Sequence, residues 1–412
     1  MNNMKIVLFE DPLYPNFEPI SLSHPSFMFL YGTSKIYEKW IKALKPQGYY
    51  FLCRKALGEL LAVEMGRKLN IIPRGDTLFI NGRFTPSSES LITLRKLNPD
   101  EAAFVGDELL AFRLITGRKL PFEKHLLTLY ENDSYNKIKD LLKKKKARTR
   151  SIKFLWDMVD NNGEMIKSEF NEINKELKNR GNVDSKAVLI NKNNIAILSG
   201  ATVGPQVTID ASEGPVIIGN NTVIDPLTYI KGPVYIGRDC RLVGGKIREG
   251  SSFGPVCRVG GEVEESIMLG FGNKYHEGFL GHAYLGEWVN LGAMTTNSDL
   301  KNNYSEISVI VNNVPVNTGR IKVGCYIGDH TKTGIGTLLN TGINIGFSCN
   351  LYGGGLFADK AIKSFSWGTP GNLVEYRIDK AIETARNSMQ RRKVKLTPRH
   401  EVIFKEIYRA CS

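Results

Sequence analysis

"VIIGNNTVIDPLTYIKGPVYIGRDCRLVGGKI", residues 216–247, places an aliphatic side chain at Ile218, Ile224, Ile230, Ile236 and Leu242. The interval is six. A helix repeats near 3.6 residues and a half-buried strand at 2, so a sustained six needs another geometry. In a parallel β-helix each hexad forms one short side of a triangular coil. Its aliphatic residue points inward and stacks on those of the coils above and below. The same interval joins Ile197, Val203 and Ile209, then Ile247, Phe253 and Val259, then Leu285 and Leu291. It returns in Ile321, Ile327, Thr333, Leu339, Ile345 and Leu351. Gly204, Gly219, Gly237, Gly286 and Gly346 follow inward residues, where a tight corner wants little side chain or positive φ. The alternative is a glycine-rich sandwich. The repeat predicts a β-helix over residues 186–357, with breaks at 261–284 and 294–320. Insertions in a solenoid gather on one face, often the binding face.

Residues 1–180 read differently. "KIVLF" (5–9), "YYFLC" (49–53), "TLFI" (77–80) and "AAFVG" (102–106) are predicted strands. "SKIYEKWIKAL" (34–44) and "NKIKDLLKKKKA" (136–147) have helical spacing. Such alternation predicts an α/β domain with a largely parallel, Rossmann-like sheet. "GEMIKSEFNEINKELKNRG" (163–181) is expected to be a connecting helix. Beyond 357, residues 358–412 form a predicted helical tail over 372–393 and 397–408, the second opened by a threonine cap and a proline. The tail is expected to cap the open end of the solenoid, or to meet a phosphate through its basic face.

The chain of 412 residues is 42% hydrophobic and 24% charged, as in a globular protein. It has no apolar run long enough to span a membrane, and its first residues lack the pattern of a secretory signal. Six scattered cysteines fit reduced thiols and a cytoplasmic location. The net charge of +13 is partly local: "LLKKKKARTR" (141–150) and the last 42 residues, with ten Lys/Arg against five Asp/Glu, are basic. Without an aromatic-rich basic motif or a helix-turn-helix signature, solvated lysines or phosphorylated small molecules are expected rather than nucleic acid.

The break "GFLGHAYLGEWVNLGAMTTNSDLKNNY" (278–304) holds His282 between small residues. A neutral imidazole can take a proton from an amine or hydroxyl attacking a thioester. A structural histidine in a glycine-rich turn is the alternative. Lys274, Asn290 and Asn297 are candidates to orient a polar or anionic substrate. In the front domain, Arg83 in "INGRFTP" is a candidate phosphate contact or a turn arginine. Asp107 in "VGDELLAFR" is a candidate Mg²⁺ ligand or a turn cap.

"NKYHEGFLGHAYLGEWVNLGAMTTNSDLKNNY", "VGCYIGDHTKTGIGTLLNTG", "FSWG" and "MQRRK", with "VLFEDPLYPNFEPISLSHP", "EKW" and "INGR" at the front, resemble the two-domain enzymes related to bifunctional N-acetylglucosamine-1-phosphate uridyltransferase/glucosamine-1-phosphate acetyltransferase, in particular a divergent sugar nucleotidyltransferase branch. The resemblance implies a nucleotidyltransferase-like α/β domain followed by a left-handed β-helix, usually trimeric. It implies acetyl transfer from acetyl-CoA to an amino sugar phosphate, with His282 as general base and Tyr284 and Asn290 beside it. Tyr284 lies one residue closer to the histidine than in that family, and Met294 replaces a glycine. The front domain lacks the family's glycine-rich loop. Where the branch tends to carry two arginines, this chain has His24, a candidate phosphate contact, and Leu30. The implied substrates are UTP or dTTP, a sugar-1-phosphate and acyl-CoA, with Mg²⁺ bridging phosphates. Three readings follow: a nucleotidyltransferase fused to an acyltransferase, an acyltransferase with a degenerate sugar-nucleotide-binding domain, and a non-catalytic trimeric scaffold.

Overall fold

A computed structural model describes residues 4–66, 68–117, 122–176 and 181–411. The front of the chain builds a six-stranded sheet ordered 48–52, 5–9, 75–81, 108–116, 101–105, 143–146. Successive side chains of Lys5–Phe9 alternate between two cores. Ile6 and Leu8 enter one, and Val7 and Phe9 enter the other, beside a stacked Phe79–Phe112 pair 4.6 Å apart. Both faces are therefore covered, as the continuous apolar runs require. The sheet is mixed rather than largely parallel, because Glu108–Thr116 runs antiparallel to both its neighbours. The lysine run also departs from expectation. Its helix stops at Leu141, and Lys143–Lys146 is an edge strand beside Glu101–Val105. Four lysines on a sheet edge oppose further strand addition.

The connecting helix covers Leu155–Glu176; residues 177–180 of the expected stretch lie outside the described residues. From Asn182 the chain winds into a left-handed parallel β-helix. The inward aliphatics of 216–247 are all at most 1% exposed. Register pairs such as Ile218↔Ile236 and Ile236↔Phe253 place them one above another. Ile321 breaks the pattern, being 51% exposed where the chain returns from an inserted hairpin, Ser308–Val311 with Val314–Asn317. The coil resumes at Cys325 and Ile327, both buried. It also runs past 357, since Ala361–Ile362 and Ser366–Thr369 continue the ladders. Gly219 and Gly237 serve close stacking rather than positive φ: a Cβ on Gly219 would lie 2.5 Å from the Gly237 backbone.

The front domain lies along one face of the solenoid. Its largest core cluster runs without a break from Ile6, Phe29 and Trp40 into Ile267, Tyr284 and Tyr326. Polar contacts pin this seam. The Tyr284 hydroxyl donates to the Leu30 carbonyl at 2.9 Å, Ser252 Oγ donates to Gly32 O at 2.7 Å, and His24 Nε2 lies 2.7 Å from Asp329 Oδ2. Part of the tail covers the solenoid's last coil: Asn372–Glu375 pairs antiparallel with Ser366–Thr369, and Leu373 packs on the solenoid core. Residues 372–375 are a strand, followed by helices Ile378–Gln390 and Pro398–Cys411. The last helix wedges between the domains. Phe404 packs on Phe347 and His330 at 4.7 and 5.0 Å, while Arg399 and His400 pair with Glu59 and Glu64. Among the described residues no helix is long and apolar enough to cross a membrane.

Tyr284→Phe removes the donor that satisfies the buried Leu30 carbonyl. The expected cost is about 1–3 kcal/mol, read as a lower calorimetric unfolding temperature. An unchanged midpoint would contradict the seam assigned here.

Candidate active site at a solenoid corner

His282 occupies a corner where successive coils turn through left-handed backbone: Gly250, Glu265 and His282 have φ of +73°, +42° and +49°. That conformation is uncommon outside glycine. Here it recurs at corner after corner, including Asn221, Asp239 and Val256, so it belongs to the coil and not to one site. The segment is clamped from both sides. Asn297 accepts from Gly281 N and donates to Gly281 O, each at 2.9 Å, and Gly324 N donates to His282 O at 3.0 Å. Gly324 is required by the backbone beside it, and Gly281 is closely approached by side chains. A Cβ on Gly281 would come within 2.8 Å of Asp299, and one on Gly324 within 1.8 Å of Gly281 O.

His282 Nδ1 lies 2.8 Å from Asp299 Oδ2, with both side chains largely shielded. Burial alone would push the Asp299 pKa up. The hydrogen bond and charge of His282, together with Lys322, outweigh it and hold the carboxyl below the usual range. Glu265, one coil away, behaves oppositely: burial drives it up to about 7, against the pull of His282 and with the repulsion of Glu249, Glu264 and Asp160.

Ligand atoms of Glu264, His282 and Asp299 lie within 4.8 Å of one another, the geometry of a potential cation site among the described residues. Glu264 is already paired with Arg248 and with Lys322 at 3.6 Å. A dication would have to displace two fixed positive charges, so the arrangement fits a histidine–carboxylate pair better than a metal centre. With Nδ1–H given to Asp299, Nε2 keeps its lone pair for a substrate proton.

The structure gathers few of the other expected site residues around His282. Asn297 holds its backbone. Tyr284, fully buried, belongs to the domain seam. The Lys274 ammonium is buried, donating to Gly260 O and His276 O at 3.0 and 2.6 Å, and burial lowers its pKa to about 8 against the pull of Glu277. Asn290 lines a separate cavity at another corner, and Met294 is exposed. Asp299, Glu264 and Glu265 were missed. The legible signal was coil length: Glu265 and Asp299 stand seventeen residues before and after His282.

At the front, strands 5–9, 48–52 and 75–81 end on one edge, where open α/β sheets bind ligands. The cations there are already matched. Arg83, 1% exposed, gives Nε to Asp11 at 2.8 Å, Nη2 to Glu108 at 2.9 Å and Nη1 to Ile152 O at 2.7 Å. It is therefore a buried structural ion pair rather than an open phosphate contact. Arg54 pairs with Glu10 at 3.0 Å and covers the Tyr14 ring. His24 is likewise turned to the solenoid. Burial opposes its charged form, but Asp329 wins and raises its pKa. Asp107 is exposed in the turn between Glu101–Val105 and Glu108–Thr116, and no described group of metal-ligating side chains includes it.

Residues 6–178 match the family model described as sugar nucleotidyl transferase, and residues 215–247 match the bacterial transferase hexapeptide of six repeats. A bifunctional sugar-1-phosphate nucleotidylyltransferase/acetyltransferase of Sulfurisphaera tokodaii is 33% identical over 93 residues, covering 23% of each chain. The bifunctional protein GlmU of a Synechococcus strain is 28% identical over 186 residues, covering 40% of this chain and 37% of that one. The solved Arabidopsis UDP-N-acetylglucosamine acyltransferase overlaps 53% of this chain and 78% of its own, at 13% identity and a TM-score of 0.26. The chain thus spans well under half the length of the curated relatives it matches. By family model and by relative, it is similar to the bifunctional sugar-1-phosphate nucleotidylyltransferase/acetyltransferases, with a sugar nucleotidyl transferase domain in front and transferase hexapeptide repeats behind.

Proposed function

We propose that this chain is a transferase of sugar-nucleotide synthesis whose β-helix moves an acetyl group from acetyl-CoA to an amino sugar phosphate. The observation that carries this reading is the His282–Asp299 hydrogen bond at a rigid corner. Asp299 fixes the tautomer and steadies the imidazolium. Nε2 takes a proton from the sugar amine as its nitrogen attacks the thioester carbonyl. The new C–N bond forms, the C–S bond breaks, and the departing thiolate takes the proton back from His282. Lys322, half exposed beside Glu264, adds positive charge for an anionic acceptor.

The family match to residues 6–178 supports nucleotidyl transfer from UTP or dTTP to a sugar-1-phosphate in the front domain. One observation favours a narrower reading, in which this domain binds a sugar nucleotide without forming it. Glu10, Asp11 and Glu108 are committed to Arg54 and Arg83. As arranged, these carboxylates do not fit a Mg²⁺ site, and the two arginines are not free for a triphosphate. The reading further includes a homotrimer, supported by exposed Met294, Ile335, Leu338 and Leu356, with Leu338 and Leu356 in register on adjacent coils. Light scattering at the mass of a single chain would remove it. A cytoplasmic setting accords with six unpaired thiols.

The test is one incubation with acetyl-CoA, glucosamine-1-phosphate, Mg²⁺ and UTP or dTTP, with products read by mass spectrometry. An acetylated sugar phosphate is expected, and His282→Ala should reduce its formation by roughly 10²–10⁴-fold with the fold intact. Unchanged acetyl transfer in that variant would remove His282 from the chemistry. A nucleotide sugar among the products would restore catalysis to the front domain.

Glu265 supplies a pH signature. Its folded-state pKa stands above its ordinary value, so its contribution to stability is fully present below about pH 4.3 and is lost as pH rises through about 7. Unfolding temperature should therefore fall between pH 5 and 8, and Glu265→Gln should flatten that slope. An identical slope in the variant would contradict the assigned environment.

A further inference from the structure

A cavity of about 320 Å³ opens at a different corner of the solenoid, between the coils and the tail. Lys332 enters it from the coil, and Arg391 and Arg392 enter it from the end of the Ile378–Gln390 helix. No aspartate or glutamate lines it. Arg258 adds a fourth positive charge close to Arg392. Among the described residues these four cations have no carboxylate in ion-pair range. Lys332 Nζ donates to Trp288 O at 2.5 Å, and Arg258 donates to Asp239 O and Cys257 O.

This clustering of cations differs from the setting of several other arginines. Arg54, Arg83, Arg113, Arg248 and Arg320 each meet one or more carboxylates. Burial lowers the pKa of Lys332 to about 7, and burial together with Arg258 and Arg391 lowers that of Arg392. Like charges gathered in a concave, partly shielded place, with Arg391 exposed at its rim, raise the energy of the empty site, and a bound anion reverses that cost. Asn273 and Asn290 add neutral polar groups, with the Asn273 amide donating to Asn290 Oδ1 at 2.8 Å. The stacked Phe271–Trp288 pair, 4.3 Å between centroids, supplies an apolar wall. Pockets that hold small molecules begin near this volume.

We propose that this cavity binds a small phosphorylated molecule, with its phosphate between Lys332, Arg391 and Arg392. Guanidinium groups grip phosphate oxygens in pairs, and the ammonium adds a point charge. The site is separate from His282, which does not line it. It gives the basic tail a role that packing alone does not supply: the tail closes one wall of a ligand site.

The test titrates inorganic pyrophosphate, and separately glucose-1-phosphate, into the full chain by isothermal calorimetry. Arg391→Ala with Arg392→Ala should weaken binding of at least one probe by roughly tenfold or more, the loss of about one charged hydrogen bond. Lys332→Met, with an unchanged unfolding temperature, is the second variant and should weaken the same probe. Equal affinity in both variants would overturn the proposal, since any binding would then lie elsewhere. Failure of the native chain to bind either probe would also overturn it. A fall in oligomer mass in the double arginine variant, without any probe binding, would assign the pocket to an acidic segment of a second copy instead.

Discussion

The stacking of one coil on the next governs this molecule. Parallel strands lie about 4.8 Å apart, and the backbone carbonyls of one turn meet the amides of the turn above. That spacing leaves no room for a Cβ at Gly219, Gly237 or Gly324. It also fills the triangular interior with one aliphatic layer after another, from Ile197 to Ile362. A coil of about seventeen residues then brings distant parts of the sequence into contact. Asp299 meets His282, Asn297 meets Gly281, and Asn290 meets Asn273 for this reason alone. The candidate chemistry needs no special loop, because the ladder itself sets the distances.

A triangular prism has three faces, and this chain uses them unequally. One face carries Ile267, Tyr284 and Tyr326 and is covered by the front domain. Burying it gives both units one continuous core, so they do not move as independent beads. The price is that several polar groups with familiar chemistry are taken into the seam. His24 faces Asp329 and Tyr284 faces Leu30, while Arg320 from the insertion reaches Asp157 and Asp160 in the connecting helix. The corner beside His282 stays outside this seam.

The hexad made the solenoid legible, because a period of six has one geometric solution that also buries each aliphatic. Ile321 shows its limit: spacing identifies a candidate inward position, and the hairpin at 308–317 removes it. Lys143–Lys146 shows another. Four lysines continue a helical pattern on paper, yet the free edge at Glu101–Val105 draws them into a strand. At the site, His282 was visible as a histidine among glycines, but its partner lay a full coil ahead. The residues nearest in sequence were poorer guides, since Tyr284, two positions on, points to the opposite domain. Arg83 shows a further limit, and a general one. A sequence shows a positive charge after a strand, but not the carboxylates that Asp11 and Glu108 bring from elsewhere.

The most direct test of the central claim is the rate of CoA release from acetyl-CoA by Asp299→Asn, with an amino sugar phosphate as acceptor. The replacement keeps the shape and removes the charge that fixes His282. The account predicts a fall in kcat of at least tenfold, with little change in KM and an unaltered fold. An Asp299→Asn protein as active as the native chain would contradict it, and would leave the histidine–carboxylate pair as a structural clasp between coils.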